Sequence, residues 1–428
     1  MRRALSAIVV ITLLLWSSSA TAQSGPSNCS VVSQNLYVRD VLSDLYYWNQ
    51  FLPSVNAASY TSPEAYLEAV RYRPIDNHYS YITSAAANTA FYGESQFVGL
   101  GFTWTVTNDE MRVLRAYADS PAAEGGLARG SRIVEVNGQD VDPLIANGTI
   151  GNAFGASEIG VAVDLVFESL TGERQQAHMV KRVVTIPTVS LTRVFEVDGK
   201  RVGYIFFTNF VTPSYAALDE AFATLRDAGA NELVLDLRYN GGGLVDVAVH
   251  LASLIGGSKT AGQVLATYAH NSRNTALNKT LRFESIERPL DLQQLTVITT
   301  RSSASASELV INALRPYMPV TIIGDTTYGK PVGQYGITFC DKVLAPVSFA
   351  LKNVNGQGDY FDGLPATCGA ADDSTHDLGD AGEAALAEAL TYIRTGACSP
   401  GAERMSRALR AAPPAFRLDG FRALINAW

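Results

Sequence analysis

The chain of 428 residues is acidic, with 33 lysines and arginines against 41 aspartates and glutamates and a formal net charge of −8. A surface of that sign does not hold polyanions through its overall charge, which sets nucleic acid aside as a partner. Hydrophobic residues make up 47% and charged residues 17%, which excludes a disordered or fibrous chain and predicts a well-filled globular core divided over two or three domains.

Arg2 and Arg3 precede an apolar run from Ala4 to Trp16, and a short polar stretch then ends in Ala20-Thr21-Ala22. A basic start, a short apolar run and an A-x-A site predict a cleaved signal peptide over residues 1–22. The run is shorter than the roughly 20 residues needed to span a bilayer. Membrane contact is therefore expected only through the signal before cleavage, and the protein is expected in a periplasmic or extracellular location. Lipid modification at Cys29 fits less well, because Gly25, Pro26 and Asn28 surround it. Loss of the signal leaves 31 basic against 41 acidic residues, a net charge of −10.

Four cysteines remain, Cys29, Cys340, Cys368 and Cys398. An even count in an exported chain is compatible with two disulfides in any of three connectivities. Proximity in sequence favours Cys340–Cys368, which leaves Cys29 for Cys398. None of the four has C-x-x-C spacing, so no zinc site and no other metal is expected.

In chain order, Leu36, Val38, Val41, Leu42, Leu45 and Tyr46 fall at helical spacing, and Tyr66, Leu67, Ala69 and Val70 suggest a second short helix. A small helical domain is expected over residues 23–93. From about residue 95 the period changes. Phe97 to Phe102 and Arg112 to Arg115 read as short strands, and Ser120-Pro121 opens a short helix. Ile133 to Val136 runs into an Asn137-Gly138 hairpin turn.

Ser120-Pro121, Gly126-Leu127, Gly130, Ile133, Val136-Asn137-Gly138 and Val141 together resemble a PDZ domain of the kind attached to bacterial proteases, here spanning 94–176. The resemblance puts Gly99, Leu100, Gly101 and Phe102 in the place of its carboxylate-binding loop. Glycine-freed N–H groups there would hold a chain-terminal carboxylate beside a strand edge that accepts an extended peptide. Ser131 departs from the aspartate usual at its position.

Beyond residue 200 the pattern becomes α/β. Val202 to Phe206, Leu233 to Leu237, Leu295 to Thr299 and Val320 to Ile323 read as buried strands. Helices are expected over Tyr215 to Ala228, after Gly243, and from about Ser307. Strand–helix–strand order implies right-handed crossovers and a largely parallel sheet, with functional residues at the carboxyl ends of its strands. Residues 399–428 carry five arginines with no clear core pattern.

Two of those strand ends carry unusual loops, and a third loop follows the next strand. Asp236-Leu237-Arg238-Tyr239-Asn240-Gly241-Gly242-Gly243-Leu244 places three glycines between a strand and a helix, where backbone N–H groups can face a ligand. It is not a phosphate cradle of the G-x-x-x-x-G-K-[ST] kind. Arg301 to Glu308 holds Ser302, Ser303, Ser305 and Ser307 at a second strand–helix turn, where serines and a glutamate could simply cap the helix. Tyr328-Gly329-Lys330-Pro331-Val332-Gly333-Gln334 puts a lysine in an apolar loop.

Taken together and in this order, the three loops resemble the carboxyl-terminal processing peptidases, or tail-specific proteases, over residues 95 to 385. Asp76-Asn77-His78-Tyr79-Ser80-Tyr81 resembles the family's lead-in segment. The resemblance implies a serine endopeptidase core of the crotonase-like or ClpP-like type over 177–398, and a multidomain α/β protein overall. It implies Ser305 as nucleophile, Lys330 as general base and Gln334 as the residue orienting the lysine. Gly242 and the Ala306 N–H fall on the oxyanion donors. No cofactor is implied. The expected substrates are proteins or peptides with exposed C-termini, with an activating adaptor left open.

Pro331 and Val332 replace the usual small residues after the lysine, and Gly241 stands where proline is common. The stretch from Ala345 to Asp380, including Asn355 to Tyr360 and Asp372-Asp373, fits the family loosely and fails the spacing of an EF-hand. A Ser-His-Asp hydrolase is the first rival, but there is no G-x-S-x-G elbow, and of the five histidines only His250 stands near a glycine loop. A PDZ-type adaptor without catalysis is the second; retention of both Ser305 and Lys330 argues against it.

Overall fold

The computed structural model describes residues 25–107, 110–411, 421 and 425, so the expected signal peptide lies outside the described residues. No helix among the described residues is long and apolar enough to cross a membrane.

The chain opens with helices α1 (Val31–Leu45) and α2 (Pro63–Val70), each begun by a serine that accepts a backbone N–H of the first turn. Their apolar faces, Val38, Val41, Leu42, Leu67 and Val70 among them, pack with Val332, Leu344 and Val347 from much later in the chain. A strand not foreseen from the sequence, β1 (Tyr81–Ser84), and helix α3 (Ala85–Glu94) complete this region.

Next come β2 (Gln96–Gly99), β3 (Phe102–Thr107), β4 (Glu110–Ala116), α4 (Pro121–Glu124), β5 (Arg132–Val136) and β6 (Gln139–Asp140). Helices α5 (Val141–Ala146) and α6 (Ile150–Ala153) then lead to β7 (Ala162–Glu168), β8 (Arg174–Val180) and β9 (Arg182–Thr185). The single strand expected over Phe97 to Phe102 is two, because Gly101 turns the chain at φ +91°. A Cβ on Gly101 would lie 2.3 Å from that of Ser120, so only glycine fits. The sheet runs β3-β4-β5-β7-β8, which leaves β3 at its edge. Ser131 takes the Ala128 N–H on its hydroxyl at 3.2 Å and so closes this turn without the usual aspartate.

The remaining chain builds the α/β core: β10 (Val189–Val197), β11 (Lys200–Phe207), α7 (Ser214–Asp227), β12 (Glu232–Asp236), α8 (Val245–Gly256), β13 (Val264–His270), β14 (Thr280–Arg282), β15 (Leu295–Thr299), α9 (Ala306–Leu314) and β16 (Val320–Gly324). Short strands β17 (Val332–Gln334), β18 (Ile337–Phe339), β19 (Lys342–Ala345), β20 (Val347–Lys352) and β21 (Cys368–Gly369) precede helices α10 (Ala384–Thr395) and α11 (Ala402–Ala411). The main sheet runs β10-β11-β12-β15-β16-β21 and is parallel from β11 onward. Helices α7, α8 and α9 bury their apolar sides against it in one cluster, and at about 25 cal/mol per Å² such burial is the main stabilising term. Because β1 pairs with β19, the N-terminal region is stitched into the core by backbone hydrogen bonds. The protein is thus a multidomain α/β chain with a helical N-terminal region, a PDZ-like β-domain and a largely parallel core.

Both disulfides differ from the sequence expectation. Cys29 bonds Cys340, and Cys368 bonds Cys398. Proximity in sequence misleads here because β21 carries Cys368 to the edge of the main sheet, next to the end of α10. Cys340, at the β18–β19 turn, instead faces the start of α1. The basic tail also has more order than its sequence suggests: α11 seats Ala402 and Ser406 so closely on β21 that a Cβ on Gly369 would lie 2.3 Å from the Ser406 nitrogen.

Candidate active site

Parallel strands β12 and β15 lie side by side and end in the glycine loop and the serine loop. Asn240 links them through its backbone carbonyl, while its side chain braces the glycine loop. Its Oδ1 accepts the Gly242 N–H at 2.9 Å and its Nδ2 donates to the Phe207 carbonyl at 3.0 Å. The backbone carbonyl of the same residue receives the Ala304 N–H at 3.0 Å and the Ser307 hydroxyl at 3.1 Å. The glycines are required sterically. A Cβ on Gly242, at φ +101°, would stand 2.8 Å from Ser305 Cβ and 2.9 Å from the Ala306 nitrogen. One on Gly243, at φ +140°, would stand 2.1 Å from the Phe210 carbonyl oxygen.

Ser305 is the residue before α9 and sits at φ 55°, ψ −110°. A non-glycine residue in that region costs about 1–3 kcal/mol, a strain typical of functional turns. The Ala306 N–H is the first of the helix and has no carbonyl within the helix to receive it. Gly242 and Ala306 therefore meet beside Ser305. One detail differs: the Gly242 N–H is given to Asn240 in this conformation.

Glu308 holds the serine loop to the lysine loop. It is fully buried, and its Oε2 accepts the N–H groups of Ser305 at 2.9 Å and Lys330 at 2.8 Å. Its Oε1 accepts the Gly329 N–H at 2.7 Å and the Thr327 hydroxyl at 2.5 Å. Burial pushes this carboxyl above its usual range, and the four donors pull it back. From the sequence it read only as a favourable charge at a helix start. That spacing signal is real but says nothing of the second loop it ties.

Lys330 is 7% exposed, and burial lowers its amine to about 8, partly opposed by the Asp76 and Glu308 carboxylates. Its Nζ donates to Gln334 Oε1 at 2.6 Å. The Gln334 amide in turn donates to the carbonyls of Tyr79 at 2.5 Å and Ala345 at 3.1 Å, which fixes its orientation. Tyr79 also donates its hydroxyl to the Gly329 carbonyl at 2.6 Å and faces the amine at 5.9 Å from its ring centre. Asp76, wholly buried, shapes this segment by accepting from the Tyr46 hydroxyl and from the N–H groups of Tyr79 and Ser80. Asp76 and Tyr79 are quoted in the lead-in segment, but no spacing rule joins them to a lysine some 250 positions later.

Arg238 is buried against Asp236 and Glu383, with Asp372 at 3.3 Å. Asp372 also receives the Tyr239 hydroxyl at 2.6 Å and Arg129 of the PDZ-like region at 3.1 Å. The Asp372 carboxylate thus answers two arginines, while that of Asp373 meets Thr375 and His376. The one described cluster with metal-ligand spacing, Cys368, Cys398 and Glu388, has both its sulfurs in a disulfide. The ring nitrogens of His250 lie 2.8 Å from Asp219 and 2.9 Å from Glu284, so its partners are surface carboxylates. Gly99, Leu100, Gly101 and Phe102 are buried between β2 and β3, with the Leu100 and Gly101 carbonyls receiving the Ala122 and Tyr117 N–H groups.

Residues 201–357 match the profile of peptidase family S41, residues 33–81 that of the peptidase S41 N-terminal domain, and residues 112–147 a PDZ domain. Among curated relatives, a carboxyl-terminal-processing protease of Synechocystis sp. is 27% identical over 243 residues, 56% of this chain and 54% of that one. A carboxy-terminal-processing protease of Bartonella bacilliformis is 26% identical over 276 residues, 61% and 60% of the two chains. The chain therefore spans little more than half the length of these relatives. A crystal structure described as an S41 protease of Bacteroides fragilis superposes with TM-score 0.69 at 27% identity, over 84% of this chain and 97% of that one. The photosystem II D1 C-terminal processing protease shares the fold, with TM-score 0.52 at 21% identity over 81% and 94%. The chain thus resembles peptidase family S41, whose core and N-terminal profiles match residues 201–357 and 33–81, and its relatives include carboxyl-terminal-processing proteases.

Proposed function

We propose that this protein is an exported serine endopeptidase in which Ser305 and Lys330 hydrolyse peptide bonds of proteins whose C-terminal tails are gripped by the PDZ-like domain. The observation that carries the reading is the desolvated amine of Lys330, lowered to about 8 and tied by one carboxylate to the turn that presents Ser305. A lysine can accept a serine proton only when neutral, and burial makes the neutral form accessible near physiological pH.

In this scheme Ser305 Oγ attacks the scissile carbonyl carbon and its proton passes to Lys330 Nζ, with Gln334 holding the amine. The oxyanion is met by the Ala306 N–H and by the Gly242 N–H once it leaves Asn240; donors of this kind contribute about 3 kcal/mol each. Lys330 then protonates the leaving amine, and water hydrolyses the acyl-enzyme. Tail engagement is supported by the edge position of β3 beside the Gly99–Phe102 loop, which suits addition of an extended strand. Two disulfides and no free cysteine among the described residues suit an oxidising compartment.

Mass spectrometry of a proteome incubated with wild type or Ser305→Ala tests the reading. Products confined to the wild type, and rich in cleavages near C-termini, are expected. Equal products from Ser305→Ala would overturn the mechanism, and binding of free C-termini without cleavage would give the adaptor reading instead.

A further inference from the structure

A cavity of about 760 Å³ opens between the carboxylate-binding loop and the N-terminal region. Val98, Gly99 and Leu100 form one wall, and β1 with the alanine face of α3 forms the other. Lys181 also lines it, 4% exposed, with its ammonium donating to the carbonyls of Gly155 and Ala156 at 3.1 and 2.7 Å. An extended chain end gripped by the loop would pass this space.

Two residues of the chain's own C-terminal segment are seated there. Phe421 is 9% exposed, and its ring lies 5.8 Å from that of Tyr81 and 5.6 Å edge-on from that of Phe91. Ile425 packs on the same cluster, which includes Phe97 of β2 and Val184 of β9. Both residues line the cavity together with the loop. Their separation of four places them on one helical face. Among the described residues, the apolar cluster these two side chains enter is the one that walls the expected tail site. We propose that the segment carrying Phe421 and Ile425 is an intramolecular ligand of this cavity, which a substrate tail must displace before it can reach the loop.

The competition has a clear physical basis. A tethered ligand acts at an effective concentration in the millimolar range, so even a weak contact outcompetes a dilute tail. A substrate whose tail fills the apolar cavity and presents its carboxylate to the loop makes contacts beyond those of Phe421 and Ile425, and so can win. The competition with substrate rests on the tail-gripping role proposed above, but the docking does not.

The test uses the full chain and a fluorescent peptide of residues 412–428 added in trans. Phe421→Ala/Ile425→Ala chain is expected to bind it at least tenfold more tightly than wild type, whose own segment competes. A peptide carrying the same two alanines is expected not to bind either chain. Equal affinity for both chains, or no binding to either, overturns the proposal. If thermal unfolding shows the double variant to be misfolded, Ile425→Asp alone, at a partly buried position, gives the same comparison. On an apolar-tailed peptide substrate, the released variant is expected to lower KM about tenfold with kcat unchanged. An unchanged KM overturns the competition. If neither chain cleaves any peptide, the peptidase reading has failed, while the anisotropy experiment still decides the docking.

Discussion

Ser305 and Lys330 share one hydrogen-bond acceptor, Oε2 of Glu308, which takes their backbone N–H groups at 2.9 and 2.8 Å. The candidate nucleophile and base come from loops after different strands. Their relative position is therefore set by this carboxylate as well as by the paired strands and by the bond from the Tyr328 N–H to the Ser303 carbonyl.

Glu308→Gln tests that arrangement while keeping the shape of the side chain. An amide has one accepting oxygen, so whichever way it turns, its NH₂ group faces at least one backbone N–H donor. Hydrogen bonds to a charged group are worth about 1.5–3 kcal/mol, and kcat/KM is expected to fall roughly 100-fold or more. Thermal unfolding should move down by several degrees. Wild-type kcat/KM in Glu308→Gln would show that the strands and the Tyr328–Ser303 backbone bond suffice to position the two loops.

The pH profile follows from the direction of the Lys330 shift. Burial lowers the amine to about 8, so the neutral base is the minority form below that pH. The kcat/KM is expected to rise about tenfold per unit up to roughly pH 8 and then flatten. Asp76 and Glu308 favour the ammonium. Asp76→Asn should therefore shift the rising limb to lower pH, measured alongside unfolding because Asp76 also accepts from Tyr46 and Ser80. A limb near the ordinary lysine value would exclude a desolvated base.

Gly242→Ala puts a methyl group 2.8 Å from Ser305 Cβ at a backbone angle of +101°. Either the serine turn or the glycine loop must move. A loss of kcat of about 100-fold or more is expected, with binding of a tail peptide to the PDZ-like domain unchanged. Full activity would mean that the two loops do not meet in the working enzyme.

Much of this was legible in the chain. Buried strands such as Leu233 to Leu237 and Leu295 to Thr299 announce themselves by continuous apolar runs, and the loops that follow announce themselves by glycine and serine. Strand β1 does not, because its pairing to β19 is a tertiary event more than 250 residues away in sequence. For the same reason Tyr79 and Asp76 carry no local sign of their neighbours, and Glu308 looks like an ordinary helix-starting acid. The cysteine pairing failed on the assumption that nearness in sequence predicts nearness in space. The turn between β18 and β19 folds back onto the start of α1, so Cys340 reaches Cys29 across 311 positions.

Arg129 offers the last test, of how the PDZ-like domain is held to the core. Its guanidinium donates to the carbonyls of Leu114, Asp373 and His376, to the Tyr239 hydroxyl at 2.9 Å and to Asp372. Tyr239 precedes Asn240, the residue that joins the glycine and serine loops, so this contact lies one residue from the candidate site. Truncating a buried, paired charge costs about 3–5 kcal/mol, because its partners lose their donors. Arg129→Ala should lower stability by about that amount in urea unfolding, and kcat should fall as Tyr239 loosens. Arg129→Lys should not rescue it, since a single ammonium with three donors cannot reach five acceptors in one plane. If Arg129→Lys instead restores both stability and kcat, the fixed geometry of the guanidinium is not what holds the two domains together, and simple charge pairing with Asp372 suffices.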